Sequence, residues 1–149
     1  MLAVSVAVPV FAASAQATGN PRATGGGTTF ELGERSTFTF SAVQTPNGVA
    51  GHMLYNIRVV DLVIHMDIDC LNITGNSAKL SGVVTSVQGD PPDYVFVGQH
   101  AVFTVTDNGQ GGQAPPDLIS DVFLFPEASC NAAFTPPPYL PVAGDIQVS

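Results

Sequence analysis

The side chains with the most chemistry to offer lie in Thr104-Val105-Thr106-Asp107-Asn108-Gly109-Gln110-Gly111-Gly112 and in the two aspartates that follow, Asp117 and Asp121. Three carboxylates and an amide this close could hold calcium, which takes about 6–8 oxygen ligands; Asp107, Asn108, Asp117 and loop carbonyls would be the donors. The same Asp107 and Asp117 could act as the acid and base of a glycoside hydrolase, whose carboxyl groups stand about 5–10 Å apart. Against the metal, the regular acidic spacing of an EF-hand is absent, and Asp121 falls further along a strand. Against the hydrolase, the chain has no Trp, and Tyr55, Tyr94 and Tyr139 are its only tyrosines, a thin supply of aromatic faces for a sugar cleft. Alternation along Ala101, Phe103 and Val105 puts Asp107 on the apolar face at a strand end, where a carboxylate needs partners. The default use of Asp-Asn-Gly is a turn whose Asp oxygens accept backbone N–H groups, and Asp107 is read that way.

The remaining candidates are weaker. His52, His65 and His100 are scattered singly, with no metal spacing, so they read as residues on solvated strand faces. No Gly-x-Ser-x-Gly elbow is present, and Gly25-Gly26-Gly27 lacks the following helix that a phosphate site requires. Asn72-Ile73-Thr74 is a glycosylation sequon, meaningful only in a host that modifies exported chains. Pro136-Pro137-Pro138-Tyr139 has the form of a WW-domain ligand, but in an exported chain it reads as an extended arm packed across a sheet after Cys130.

The elements that must position these residues are strands. In Ser36 to Val43 the apolar Phe38, Phe40 and Ala42 alternate with hydroxyl residues, and in Val63 to Asp69 Ile64, Met66 and Ile68 alternate with His65, Asp67 and Asp69. Residues 24–30, 51–59, 78–87, 100–107, 117–125 and 144–148 carry further strand patterns. Turn signals at Pro46-Asn47-Gly48, Gly75-Asn76, Gly89-Asp90-Pro91-Pro92 and 107–116 separate them. With no helical spacing to supply parallel crossovers, about eight strands imply an antiparallel all-β domain, a sandwich or a meander barrel. The short first and last strands are expected to pair, which removes two exposed edges.

Residues 1–17 are apolar and end in Ala15-Gln16-Ala17, a pattern that suits signal peptidase, although no basic residue precedes Arg22. The expected product is one exported domain over residues 18–149, without a membrane-spanning run of about 20 residues. Four Lys+Arg against 12 Asp+Glu give a net charge of −8, which repels nucleic acid and anionic lipid. Charged residues are 11% of the chain against about 25% in ordinary soluble domains, as suits a secreted β-protein. Cys70 and Cys130, the only cysteines, are expected to form one disulfide, worth about 4 kcal/mol for so long a loop.

Ala23-Thr24-Gly25-Gly26-Gly27, Gly51-His52-Met53-Leu54-Tyr55, Phe103 to Gly109 and Ala143-Gly144-Asp145-Ile146-Gln147-Val148 stand in an order that resembles a family of exported bacterial proteins similar to the post-COAP domain. The resemblance spans essentially all of residues 18–149. It implies an all-β secreted domain and carries no catalytic residue across; Asp145 departs from the Asn common there, and the proline-rich segment is longer. The function read from the chain is therefore a non-catalytic, structural or adhesive domain at the cell surface or outside it, with no cofactor required. A ligand- or calcium-binding module at Asp107 and Asp117, and a carboxylate hydrolase, are the alternatives. Expected partners are an extracellular protein or a second copy joined through an edge strand.

Overall fold

The computed structural model describes residues 19–149; the export signal expected over residues 1–17 lies outside them. Period-two burial is clearest over residues 36–42 and 62–68. β1 (Arg22–Glu31), β2 (Glu34–Thr45), β3 (Gly48–Ile57), β4 (Leu62–Thr74), β5 (Ser77–Gly89) and β6 (His100–Thr106) form an antiparallel meander. Four short strands follow: β7 (Leu118–Ile119), β8 (Phe123–Leu124), β9 (Leu140–Pro141) and β10 (Ala143–Val148). The sheet order is β10-β1-β2-β3-β4-β5-β6-β7-β9, with β8 also on β6, and a single 3-10 turn at Arg58–Val60 is the only helical segment among the described residues. No helix among them is long and apolar enough to cross a membrane.

One continuous sheet curls into a nearly closed barrel, so of the two expected architectures the sandwich gives way. Phe40 of β2 meets Phe103 of β6 edge to face, ring centroids 5.6 Å apart, across the interior that the curl creates. Phe38, Met53, Ile64, Met66, Leu80, Val105, Ile119 and Ile146 complete a buried interior, each large side chain contributing about 1.5–3 kcal/mol. The expected pairing of the terminal strands is present, running from Ala23↔Val148 to Thr28↔Ala143. Gly25 and Gly27 are what make it fit. A Cβ at Gly25 would lie 2.8 Å from the Phe40 ring and 2.9 Å from Ile146, and one at Gly27 would lie 2.6 Å from the Ala143 carbonyl.

The strand expected over 117–125 is two pieces. Val105 pairs with Ile119 but Val102 pairs with Phe123, so β7 and β8 hold one more residue between them than β6 does. Ser120 causes the slip: its hydroxyl accepts Thr104 N–H at 2.9 Å in place of a backbone carbonyl, and itself donates to the Asp121 carbonyl at 2.7 Å. β9 has no alternating run to announce it and forms because Val142 N–H reaches the Asp117 carbonyl at 2.9 Å.

Cys70 of β4 is bonded to Cys130, with Cα atoms 5.8 Å apart. This bond holds the irregular segment 125–139 against the outer faces of β5 and β6. Cys130 N–H donates to Ser81 Oγ at 2.8 Å, Phe134 packs edge to face on Phe123 and Phe125, and Pro136 is fully buried. Residues 78–82 of β5 are consequently buried on both faces. Replacing both cysteines by Ala is expected to lower the unfolding free energy by about 2–4 kcal/mol in denaturant titrations. Amide exchange should accelerate first in residues 125–139; uniform acceleration over the whole barrel would show that the bond does not anchor this segment.

Candidate functional site

The sheet's two ends meet at a seam, and the acidic loop singled out by the sequence lies on it. Arg22 and Ser149 exchange two main-chain hydrogen bonds, at 2.7 and 3.0 Å, so by strand alternation Gln147 and Asp145 face β1 while the N–H groups of Ile146 and Val148 point away. Among the described residues no strand is paired on that side. Asp117 Oδ2 accepts Ile146 N–H at 2.7 Å and Asp107 Oδ2 accepts Val148 N–H at 3.1 Å. The other two oxygens accept Asn108 N–H at 2.8 Å and Gly109 N–H at 2.9 Å, the latter being the expected Asp-Asn-Gly turn. The Asn108 side-chain amide donates to the Pro116 carbonyl at 2.7 Å.

Asp107, Asn108 and Asp117 are thus brought together, and what they hold is main chain. Each of the four carboxylate oxygens receives one backbone N–H, so both side chains act as a clasp in place of missing ladder bonds. No group of three or more His, Cys, Asp or Glu placed to hold a metal ion occurs among the described residues. The clasp also occupies the outer edge of β10, the edge that self-association through a terminal strand would use. His52, His65 and His100 lie on β3, β4 and β6, with His52 paired across to Asp67 and His65 across to Leu54. Asp117→Ala should cost about 2–4 kcal/mol in denaturant titrations, since it leaves two backbone N–H groups beside a buried site unpaired. A loss below about 0.5 kcal/mol would remove the clasp as a stabilising element.

A second constellation occupies the opposite end of the barrel, formed by the β1–β2 turn and the β3–β4 connection. Glu31 ends β1 on the inward-facing register of Ala23, Gly25, Gly27 and Thr29, and accepts the hydroxyl of Tyr55, a fully buried residue of β3. Asp121 sits at the β7–β8 slip and accepts the Tyr139 hydroxyl at 2.7 Å. Two adjoining clefts share Glu31, Val59 and Asp121. One, of about 410 Å³, is walled by Phe30, Leu32 and Tyr139; the other, of about 240 Å³, by Tyr55, Val60, Tyr94 and Leu124. Inside the barrel, the paired Thr29 and Ser36 bury hydroxyls with no hydrogen-bond partner among the described residues.

Burial pushes the Glu31 carboxyl above its ordinary value; the Tyr55 hydrogen bond opposes that shift and the nearby Asp121 charge adds to it. Tyr55 is raised by burial and by its bond to Glu31, and Tyr139 is raised to about 12, chiefly by its bond to Asp121. The mouth therefore offers two carboxylates and tyrosine hydroxyls among apolar walls, with no Ser, Cys, His, Lys or Arg among the residues that line it. Sequence reading missed Glu31 and Tyr55. The signal was available, because Glu31 is an inward-register carboxylate at a strand end, the same property that drew attention to Asp107.

Because the folded state holds the Glu31 proton more tightly than the unfolded chain, this residue's contribution is complete at low pH and is lost as pH rises from its ordinary value of 4.5 through the raised one. Glu31→Gln, which keeps an acceptor for Tyr55, should flatten that part of the Tm–pH curve and raise Tm at pH 7. Parallel curves for the two proteins would show that the fold does not raise the Glu31 carboxyl. Comparison of the chain with protein-family models, with curated proteins and with solved structures finds no match, and its function is read from the seam and the mouth.

Proposed function

We propose that this chain is a non-catalytic β-barrel module of the cell exterior, of the kind its post-COAP-like motifs resemble, and that it works by adhesion through the barrel end carrying Glu31 and Tyr55. The observation that carries this reading is the distribution of exposed apolar side chains. Of the eight large hydrophobic residues exposed among the described residues, Phe30, Leu32, Val60, Tyr94 and Tyr139 rim the two clefts at that end. Leu32, at the tip of the β1–β2 turn, is 92% exposed and stands at positive φ, 49°. A side chain so placed stabilises nothing in the barrel, and a collected apolar rim on a rigid scaffold is what contact with another surface requires. The disulfide is compatible with an oxidising compartment outside the cytosol.

A ligand-binding role at the same mouth is the second reading, favoured by the two adjoining clefts that share Glu31 and Asp121. The two are separable. Adsorption of the oxidised domain to a hydrophobic sensor surface should fall at least tenfold in the double variant Leu32→Asp, Tyr94→Asp, with an unchanged melt. Undiminished adsorption would remove the adhesive reading, whereas a small molecule that still protects Tyr55 in that variant would favour the ligand.

A further inference from the structure

The outer wall of the barrel carries a different site. Asn72 of β4, Lys79 of β5 and Thr104 of β6 are direct register partners, Asn72↔Lys79 and Lys79↔Thr104, so they form one row across three strands on the face opposite the interior. The segment held by Cys130 lies over this row, and between them is a cavity of about 230 Å³ lined also by Asn131, Ala132 and Thr135. Lys79, the chain's only lysine, is 8% exposed. Among the described residues its ammonium makes one hydrogen bond, to the Ala132 carbonyl at 2.5 Å, which leaves two protons without a protein acceptor there. No Asp or Glu lines the cavity. Thr104, also buried, lines the same space, and its hydroxyl has no hydrogen-bond partner among the described residues.

A buried cation with no counter-charge and a buried hydroxyl with no partner are each costly, and one anionic acceptor reaching both would relieve both. We propose that this cavity binds a small oxyanion, a phosphate, sulfate or carboxylate group, between the Lys79 ammonium and the Thr104 hydroxyl. The exposed Asn72 and Asn131 at its rim add amide donors for the remaining oxygens. The net charge of −8 gives an anion no long-range attraction toward the protein, so recognition is confined to the pocket itself. The site is independent of the apolar mouth, and the disulfide supplies its roof.

The test is calorimetric titration of the oxidised chain with inorganic phosphate, sulfate and acetate in turn, at constant ionic strength set by chloride. One saturable site in the wild type is expected for at least one of the three. That binding should be abolished in Lys79→Met and about tenfold weaker in Thr104→Val, a change of similar shape that keeps the fold testable should Lys79→Met unfold. Preference for phosphate or sulfate assigns a tetrahedral anion, and preference for acetate a carboxylate. Absence of saturable heat with all three anions, or isotherms unaltered by Thr104→Val, would overturn the proposal.

Discussion

Closure of the sheet depends on finding acceptors for the free edge of its last strand. A meander of six long strands with a terminal strand added to its beginning leaves two ends, and unpaired N–H groups on a partly buried edge each carry a desolvation penalty of about 1–3 kcal/mol. Asp107 and Asp117 meet that demand with side chains: four oxygens for four N–H groups, two of them on β10. The Asp117 carbonyl adds Val142 N–H to the same seam, so one residue joins β7, β9 and β10. Carboxylates are suited to this because each accepts at two oxygens and bonds to a charged acceptor are the stronger kind.

Once the seam is closed, the interior is committed. Phe40 and Ile146 press on the backbone of β1, which is why Gly25 stands there, and Phe103 reaches Phe40 across the barrel. With the interior filled by these side chains, the Glu31 clefts lie at a mouth and the Lys79 cavity on the outer wall. At the Glu31 end, the extra residue at the β7–β8 slip brings Asp121 beside Tyr139, within electrostatic reach of Glu31. The hydroxyl of Ser120 that creates the slip is thus a fold-level cause of a site-level arrangement.

Much of the fold was legible because it rests on alternation. Phe38, Phe40, Ile64, Met66 and Ile68 each face the interior as the period of two required, the terminal strands pair, and Cys70 meets Cys130. Sandwich and barrel could not be separated, since the choice is made by a seam whose partners, Asp107 and Val148, are 41 residues apart. The break in 117–125 was hidden because it arises from one hydroxyl displacing one carbonyl, a bond that needs Thr104 opposite. Asp107 was singled out for the right reason, an inward-register carboxylate at a strand end, while Glu31 passed unnoticed with the same property. Its partner, Tyr55, sits 24 residues away on a strand that is not its neighbour.

The outer wall was the least legible region, and the reason is physical. Lys79 falls on the outward register of β5, where a lysine ordinarily extends into solvent, and nothing local to 77–89 says otherwise. Its burial is imposed from 53 residues away, by the chain that follows Cys130 and delivers the Ala132 carbonyl to its ammonium. The disulfide therefore does more than limit the unfolded chain. By holding residues 125–139 over β5 and β6, it converts an ordinary polar strand face into a roofed, positively charged hollow on an otherwise acidic molecule. The two cysteines, which carry no reactivity of their own once bonded, decide where the protein's one lysine is hidden.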